Sequence, residues 1–326
     1  MAIRKYYLLA FTSLALTACE RDSFISGSDD GIAPAVPTNF VVFLAEDGDI
    51  ILNWDANVEK DLKGYNVWRK TDSTDYSFLD FTQDDYYIDD SLNYSTKYFY
   101  KISSVDFFGL ESSYTDEVSA VPENKNPPRT PLNLKINARN WEGHKSIFLS
   151  WKSNPESDLA GYRIYRSENA NFIVDSSTYL RFVPNNSFED TNSTLSFYKN
   201  YFYKITAVDK GDLSSSPAQE VTDMIYEEAL QIFPENNSEV LPFSDLKIRS
   251  IGVPARYLIV VQENEFFGEI WRNEFSYIGL YDTLSIRFNP QYIEPYRNYY
   301  WRIITYYPNS SEPNSISRLY KFKIKY

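Results

Sequence analysis

The chain offers few side chains for acid–base or nucleophilic catalysis. Its single histidine, His144, lies in a polar stretch between two predicted strands, and no Gly-x-Ser-x-Gly segment accompanies it. We therefore expect an exposed loop residue there rather than a catalytic base. The 45 aspartates and glutamates could supply the paired carboxylates of a glycoside hydrolase, but with so many acidic residues a close pair is not diagnostic. The prediction is no enzymatic activity and no catalytic residues, with a glycoside hydrolase kept as the minor alternative.

The residue types present in the chain give little support for a metal or cofactor site. One cysteine and one histidine cannot build a zinc site within the chain, and no glycine-rich phosphate-binding loop follows a predicted strand. Acidic clusters at 47–49, 84–85 and 89–90 contain the oxygen ligands that calcium prefers, but they lack the EF-hand spacing and suit ordinary turns. We expect no cofactor and no metal site, and binding of calcium by the acidic loops stays open.

Aromatic side chains are the other chemically distinctive group, at 17 % of residues. Flat rings suit carbohydrate stacking and also anchor protein interfaces. They are densest in the last third of the chain, which holds Trp271, Phe275, Tyr277, Tyr281, Tyr292, Tyr296, Tyr306 and Tyr307. Sheet cores also use aromatics, and Tyr299 and Trp301 have the alternation of core-facing strand residues. The candidates for ligand contact are the tyrosines predicted to lie in loops, namely Tyr292, Tyr296, Tyr306 and Tyr307.

The charge balance restricts the partner. The formal net charge is −13, and the sequence has no basic run beyond Arg4-Lys5. A nucleic-acid-binding surface needs clustered lysine and arginine, so we expect no nucleic-acid partner. Charged residues at 24 % and the aromatic content are those of a folded protein. A protein or a glycan is the expected partner.

The elements that must position these residues are short strands. Ile50, Leu52 and Trp54 alternate onto one face, which is the period of a half-buried strand. Short alternating segments separated by Asp, Asn, Gly and Ser turns, without a helical period, predict an all-β protein built of β-sandwiches.

Two segments of the chain repeat each other. The run Asp-Leu-Lys-Gly-Tyr at 61–65 returns as Asp-Leu-Ala-Gly-Tyr at 158–162, and Tyr-Phe-Tyr-Lys-Ile occurs at both 98–102 and 201–205. Repeats this far apart indicate tandem domains rather than a solenoid of small units. The proline-rich stretch around 122–131 marks the boundary between them.

Both repeats resemble fibronectin type III domains. The family pattern has an early proline, a tryptophan ending the second strand, a tyrosine in the third strand and a later Tyr-x-Tyr-x-Val-x-Ala-Val-like run. In the first repeat these features are Pro37, Trp54, Tyr65 and Tyr98–Val105, and in the second they are Pro131, Trp151, Tyr162 and Tyr201–Val208. It implies tandem immunoglobulin-like β-sandwiches at 37–122 and 129–222, joined by a linker at 123–128. Residues 223–326 are similar to a divergent member of that family or another immunoglobulin-like domain, because Tyr-Tyr-Trp-Arg-Ile at 299–303 matches the repeated run. This part lacks the tryptophan of the second strand and the Asp-Leu-x-Gly-Tyr run.

The N-terminus resembles that of a bacterial lipoprotein. A short basic region precedes an apolar stretch from Tyr6 to Ala18 that is too short to span a bilayer, and Leu16-Thr17-Ala18 leads into the only cysteine, Cys19. The resemblance implies a signal peptide at 1–18, cleavage before Cys19 and lipidation of Cys19. Several acyl chains anchor a protein firmly, whereas one alone binds marginally. Residues 19–36, rich in Ser, Gly, Asp and Pro, are predicted to form a flexible tether.

Together these features predict a non-enzymatic, lipid-anchored protein of the cell envelope that acts as a modular scaffold or adhesion protein. Cys19 would attach it to the outer membrane, on the periplasmic face or at the cell surface. The alternative is a glycan-binding accessory lipoprotein that uses its aromatic-rich C-terminal domain.

Overall fold

The computed structural model describes residues 31–325, so Cys19 and the predicted signal peptide lie outside the described residues. The described chain is all-β, as predicted. It forms twenty-three strands: β1 Val41–Glu46, β2 Asp49–Asn53, β3 Leu62–Thr71, β4 Ser77–Thr82, β5 Tyr86–Asp89, β6 Tyr98–Asp106, β7 Val118–Ala120, β8 Leu132–Trp141, β9 His144–Lys152, β10 Leu159–Ser167, β11 Tyr179–Val183, β12 Ser187–Asp190, β13 Asn200–Asp209, β14 Val221–Met224, β15 Leu230–Phe233, β16 Ser238–Val240, β17 Asp245–Arg249, β18 Ala255–Gln262, β19 Glu269–Tyr277, β20 Thr283–Arg287, β21 Asn298–Tyr306, β22 Pro313–Ile316 and β23 Tyr320–Ile324.

The first sandwich consists of a three-stranded sheet in the order β1-β2-β5 and a four-stranded sheet in the order β4-β3-β6-β7. All of these strand pairs are antiparallel. The predicted alternation holds, because Ile50, Leu52 and Trp54 point into the core and meet Tyr65 and Val67 from the other sheet. The prediction of immunoglobulin-like sandwiches is confirmed.

The second sandwich repeats this plan with β12-β9-β8 on one side and β11-β10-β13-β14 on the other. Its core contains the matching residues Ile147, Leu149, Trp151, Tyr162 and Ile164, all of which are buried. In both repeats the tryptophan packs edge-on against the tyrosine, with ring centroids 5.1 Å and 5.0 Å apart.

The third sandwich pairs the sheet β15-β17-β20 with a second sheet that contains β22-β21-β18-β19. Strand β23 lies beside β21, and the short β16 lies parallel to β23. The Tyr-Tyr-Trp-Arg-Ile run at 299–303, which matches the repeated run of the first two sandwiches, falls within β21. Tyr257, Ile259, Tyr299 and Trp301 are buried in this core, which supports the assignment of Tyr299 and Trp301 as core residues.

The chain divides into two compact units. One comprises the described part of Met1–Arg129 with the loops Asn154–Ala160 and Ala207–Ser215, and the other comprises Thr130–Ser153, Gly161–Thr206 and the described part of Ser216–Tyr326. Within the second unit, β22 pairs with β8 in parallel and so joins strands of the second and third sandwiches into one nine-stranded sheet.

Buried polar side chains hold the segment that connects those two sandwiches. Asn314 is 1 % exposed; its Oδ1 accepts a hydrogen bond from Tyr226 N at 2.8 Å and its Nδ2 donates to Met224 O at 2.8 Å. From the second sandwich, Asn140 Nδ2 donates to Tyr226 O at 3.0 Å. The backbone of the connecting segment is thus paired from both sides, which satisfies polar groups that would otherwise be buried without partners.

The duplicated Asp-Leu-x-Gly-Tyr run has a structural explanation. Gly161 lies at the start of the paired part of β10 with φ +154°, and a Cβ at this position would come within 2.5 Å of Val183 O. Gly64 occupies the equivalent place in β3, where a Cβ would meet the Phe81 ring at 2.6 Å. Glycine is therefore required for the close approach of the neighbouring strand, in addition to any role in the preceding turn.

An arginine near the end of each of these strands binds a buried carboxylate. Arg69 Nη1 donates to both oxygens of Asp89 at 2.7 Å, and Tyr100 OH donates to Asp89 Oδ2 at 2.6 Å. The second repeat has the same arrangement, with Asp190 Oδ2 accepting hydrogen bonds from Arg166 Nη1 at 2.6 Å and from Tyr203 OH at 2.8 Å. Both duplicated features thus stabilise the sandwich.

Candidate binding surface

A hairpin turn at one end of the third sandwich exposes two adjacent phenylalanines. The turn lies between the end of β18 and the start of β19, and the exposed fractions of Phe266 and Phe267 are 87 % and 73 %. Asn264 Oδ1 accepts hydrogen bonds from Phe266 N at 2.9 Å and Phe267 N at 3.0 Å, and Glu263 N donates to Gly268 O at 2.8 Å. These bonds fix the turn, so that both rings are held toward solvent.

A second loop presents two exposed tyrosines beside that hairpin. Tyr292 and Tyr296, in the loop that leads into β21, are 70 % and 63 % exposed. Arg297 Nη2 lies 3.3 Å from Glu263 Oε2 and joins this loop to the hairpin, while Tyr296 N donates to Ile324 O at 2.7 Å. We call Phe266, Phe267, Tyr292 and Tyr296 the aromatic end.

The charges around the aromatic end are mostly negative. Glu263 and Glu294 both pair with Arg297, with nitrogen–oxygen distances of 3.3 Å, and Glu269 pairs with Arg272 at 3.1 Å. Glu265, also in the hairpin turn, is exposed. The side chains at this end therefore combine exposed apolar rings with an acidic margin, which favours a partner surface that is apolar at its centre and basic or neutral at its edge.

The other two candidate tyrosines lie at the opposite end of β21. Tyr306 is the last residue of that strand rather than a loop residue, and its ring lies under the Arg256 guanidinium at 4.0 Å. Tyr307 is 44 % exposed and stacks on Tyr226 with ring centroids 5.9 Å apart. A strand rises about 3.3 Å per residue, so the length of β21, roughly 27 Å, separates this pair from Tyr292 and Tyr296.

A cleft of about 490 Å³ is lined in part by residues 308–311, which directly follow Tyr307 in the chain. Arg256, Ser276, Tyr277, Ile278 and Pro308 are among the residues that line it. Arg256 is already engaged, because Nη1 pairs with Glu274 and Nη2 donates to Ser310 O at 2.8 Å. The cleft thus offers hydroxyl groups and apolar walls but a largely neutralised cation.

A shallower groove of about 790 Å³ lies near the edge strand β15. Phe233 and Phe243 line it together with Glu235, Asp245 and Lys247. Ser244 Oγ donates to Asp245 Oδ2 at 2.6 Å. Two carboxylates on one groove are the minimum that the glycosidase alternative requires.

The remaining sequence candidates occupy structural positions. His144 is exposed at the start of β9. In the acidic cluster at 47–49, the carboxylate of Asp47 accepts hydrogen bonds from Lys125 N at 2.9 Å and from Asn126 N at 2.8 Å. Within residues 31–325 the side chains of Asp, Glu, His and Cys form no group of three or more that could hold a metal ion.

Tyr292 and Tyr296 were predicted to be loop aromatics and are exposed in a loop, whereas Phe266 and Phe267 were not among the candidates. The missed signal is Glu-Asn-Glu-Phe-Phe-Gly at 263–268, between two strands. Two adjacent aromatic residues cannot both face the core of a strand with a two-residue period, and Asn and Gly mark a turn. At least one exposed phenylalanine was therefore predictable.

Comparisons with known proteins find likenesses among solved structures only. No protein-family model matches the chain, and no curated protein matches it. Among solved structures, the crystal structure of chicken CNTN1 FN1-FN3 domains aligns with 90 % of this chain and 99 % of that chain, at a TM-score of 0.34 and 11 % sequence identity. In the described part of the chain no helix is long and apolar enough to cross a membrane.

Proposed function

We propose that this protein is a non-enzymatic, lipid-anchored component of the cell envelope that holds a partner through the aromatic end of its third sandwich. The observation that carries this proposal is the pair of fixed loops with four aromatic side chains, each 63–87 % exposed. Folded proteins seldom leave adjacent large rings exposed on a rigid turn without a use for them, because apolar patches of this kind promote aggregation.

A protein partner is favoured over a glycan. Phe266 and Phe267 carry no polar group to recognise sugar hydroxyls, and two neighbouring rings on a hairpin turn suit insertion into an apolar pocket. The acidic margin then selects partners with basic or neutral rims. The glycan alternative is supported by Tyr292 and Tyr296, whose exposed rings combine a stacking face with a hydroxyl group.

The anchor is proposed from the sequence around Cys19. Acylation at Cys19 would attach the chain to the outer membrane, and residues 20–36 would serve as the tether. Cys19→Ala tests this directly: the variant should leave the membrane fraction for the soluble fraction, whereas the wild-type chain should require detergent. A variant that stays in the membrane fraction would contradict the lipoprotein assignment.

The two partner classes are separated by paired variants of the full chain. On a glycan array, a glycan-binding protein would give signals that Tyr292→Ser/Tyr296→Ser removes. A protein-binding aromatic end would give no signal there, and would lose its partner in Phe266→Ser/Phe267→Ser. Ile173→Ser is the matched control, because Ile173 is 78 % exposed and lies in the second sandwich.

A further inference from the structure

The outer face of the four-stranded sheet in the first sandwich has an unusual composition. Along β3 and β6 the side chains of Tyr65, Val67, Tyr100 and Ile102 enter the core. The alternate residues therefore lie on the opposite face of the sheet. That face presents Trp68, Lys70, Phe99 and Lys101, and cross-strand pairing sets Trp68 against Lys101 and Lys70 against Phe99.

Lysines and rings alternate across this face. Lys101 Nζ lies 3.5 Å from the ring centroid of Tyr114 and 4.4 Å from that of Tyr76. Lys70 Nζ lies 4.8 Å from the ring of Tyr76 and 4.9 Å from that of Phe99. Lys97 Nζ continues the series, 4.9 Å from the Phe99 ring. We call these three lysines and three rings the lysine ladder.

Exposed aromatic surface adjoins the lysine ladder. Phe78 and Tyr114 are 53 % and 44 % exposed. Trp68 lies between them, and its ring centroid is 5.7 Å from each, in edge-to-face geometry. The face therefore offers ring surface and ammonium groups side by side.

The positive charge of the lysine ladder is only partly neutralised. Lys70 pairs with Glu117 at 2.8 Å, and Tyr76 OH donates to the same carboxylate at 2.6 Å. Among the described residues, Lys97 and Lys101 have no carboxylate partner within ion-pair distance. Two ammonium groups held on aromatic rings are thus left for a ligand, in a protein whose net charge is −13.

The second sandwich provides an internal comparison. Lys204 is the counterpart of Lys101 in the repeated Tyr-Phe-Tyr-Lys-Ile run. Its Nζ lies 3.4 Å from Glu220 Oε2 and donates to Phe172 O at 2.5 Å, so this lysine is occupied by its own domain. The fold does not require unpaired lysines at this position, and their presence in the first sandwich calls for a separate reason.

We propose that this face binds an acidic polysaccharide, with its carboxylates on Lys97 and Lys101 and the apolar faces of its sugar rings on Phe78 and Tyr114. A uronic acid residue carries an apolar ring face and a carboxylate in one unit, which matches a ring beside an ammonium group. Repetition of that pair across the sheet matches a polymer of such units better than a single small anion. The site is independent of the aromatic end of the third sandwich.

The acidic character of the whole protein does not prevent such binding. Charges beyond a Debye length of about 8 Å are largely screened at physiological ionic strength. The lysines of the ladder therefore determine the local potential that a bound carboxylate meets. Binding should still weaken as salt rises, because exposed charge pairs are screened.

The test measures binding of the full chain to immobilised oligogalacturonate by biolayer interferometry. Methyl-esterified oligogalacturonate, which keeps the sugar rings and loses the charge, and poly-glutamate, which keeps the charge and loses the rings, are the comparison ligands. We expect the free acid to bind at least about tenfold more tightly than either, because each comparison ligand lacks one of the two contacts.

Variants then assign the binding to this face. Lys97→Gln/Lys101→Gln and Phe78→Ala should each weaken binding by about tenfold, while Lys204→Gln should leave it unchanged. Thermal unfolding of each variant establishes that it is folded. Equal binding of the methyl ester, equal binding of poly-glutamate, or an equal loss in Lys204→Gln would each overturn the proposal, as would an unaffected double variant or no measurable binding by the wild-type chain.

Discussion

Removal of the Asp89 carboxylate should destabilise the first sandwich by several kcal/mol. Asp89 is 5 % exposed and accepts hydrogen bonds from Arg69 Nη1 and Tyr100 OH. In Asp89→Ala, Tyr100, which is fully buried, loses its hydrogen-bond partner, and a buried unsatisfied hydroxyl group costs about 1–3 kcal/mol. The charge-assisted bonds from Arg69 contribute about 1.5–3 kcal/mol more. Because the Arg69 side chain is 31 % exposed and can be solvated, we expect a total of about 3–4 kcal/mol rather than the full sum.

Urea unfolding followed by tryptophan fluorescence measures this change. The first sandwich contains Trp54 and Trp68. When the other four tryptophans are replaced by phenylalanine, the fluorescence reports on the unfolding of the first sandwich alone. A domain of this size has a total stability of about 5–15 kcal/mol, so the midpoint should fall markedly.

The matched control is Asp190→Ala in the second sandwich, followed through Trp141 and Trp151 with the other four tryptophans replaced by phenylalanine. It should give a loss of similar size in that domain, because Arg166 and Tyr203 bind Asp190 in the same way. A loss below about 1 kcal/mol in both variants would show that the buried Arg–Asp–Tyr arrangement adds little, and the reasoning from buried hydrogen bonds would be refuted.

Three further predictions concern other parts of the fold. Gly161→Ala should cost about 2–4 kcal/mol in urea unfolding, because its Cβ would lie 2.5 Å from Val183 O; an unchanged midpoint would show that the strands move apart freely. Asn314→Ala should cost about 2–5 kcal/mol by leaving Tyr226 N and Met224 O buried without partners; hydrogen exchange at Tyr226 that stays as slow as in the wild type would contradict this. Burial raises the pKa of Tyr257 to about 12. The stability that this tyrosine contributes to the folded state is therefore fully present below the unfolded pKa near 10 and is lost as pH rises toward 12. Urea unfolding at several alkaline pH values should show that Tyr257→Phe loses about 3 kcal/mol less than the wild type, because the pKa of other buried tyrosines such as Tyr226 is also raised and they titrate in both proteins; equal slopes for the two proteins would contradict the assignment.

The sequence predicted the sheet interiors well and the contacts between sandwiches poorly. Alternation along 50–54 and the repeated Tyr-Phe-Tyr-Lys-Ile run follow from the two-residue period of a strand, so the buried face could be read directly. The parallel pairing of β22 with β8 could not, because it joins segments far apart in the chain and leaves no local period. The same holds for Asn314, whose polar side chain gives no sign that it is buried.

The exposed residues, too, were predictable from the sequence only where a local pattern places them. The alternation around Lys101 places its side chain on the outer face, but its ring partners Tyr76 and Tyr114 lie outside β3 and β6 and could be found only from the folded chain. Likewise Tyr292 and Tyr296 were predicted to be loop aromatics, while their position beside the hairpin of Phe266 and Phe267 follows from the pairing of β18 with β21, with the ion pair between Arg297 and Glu263 joining the two loops.

Site-specific photo-crosslinking in the native cell tests the central claim, that the aromatic end is the surface that contacts a partner. A benzophenone amino acid at position 267 should give one discrete adduct, and Tyr292→Ser/Tyr296→Ser should reduce it. The same group at Ile173, which is 78 % exposed on the second sandwich, should not give that adduct. No adduct at position 267, or the same adduct from both positions, would contradict the proposed function.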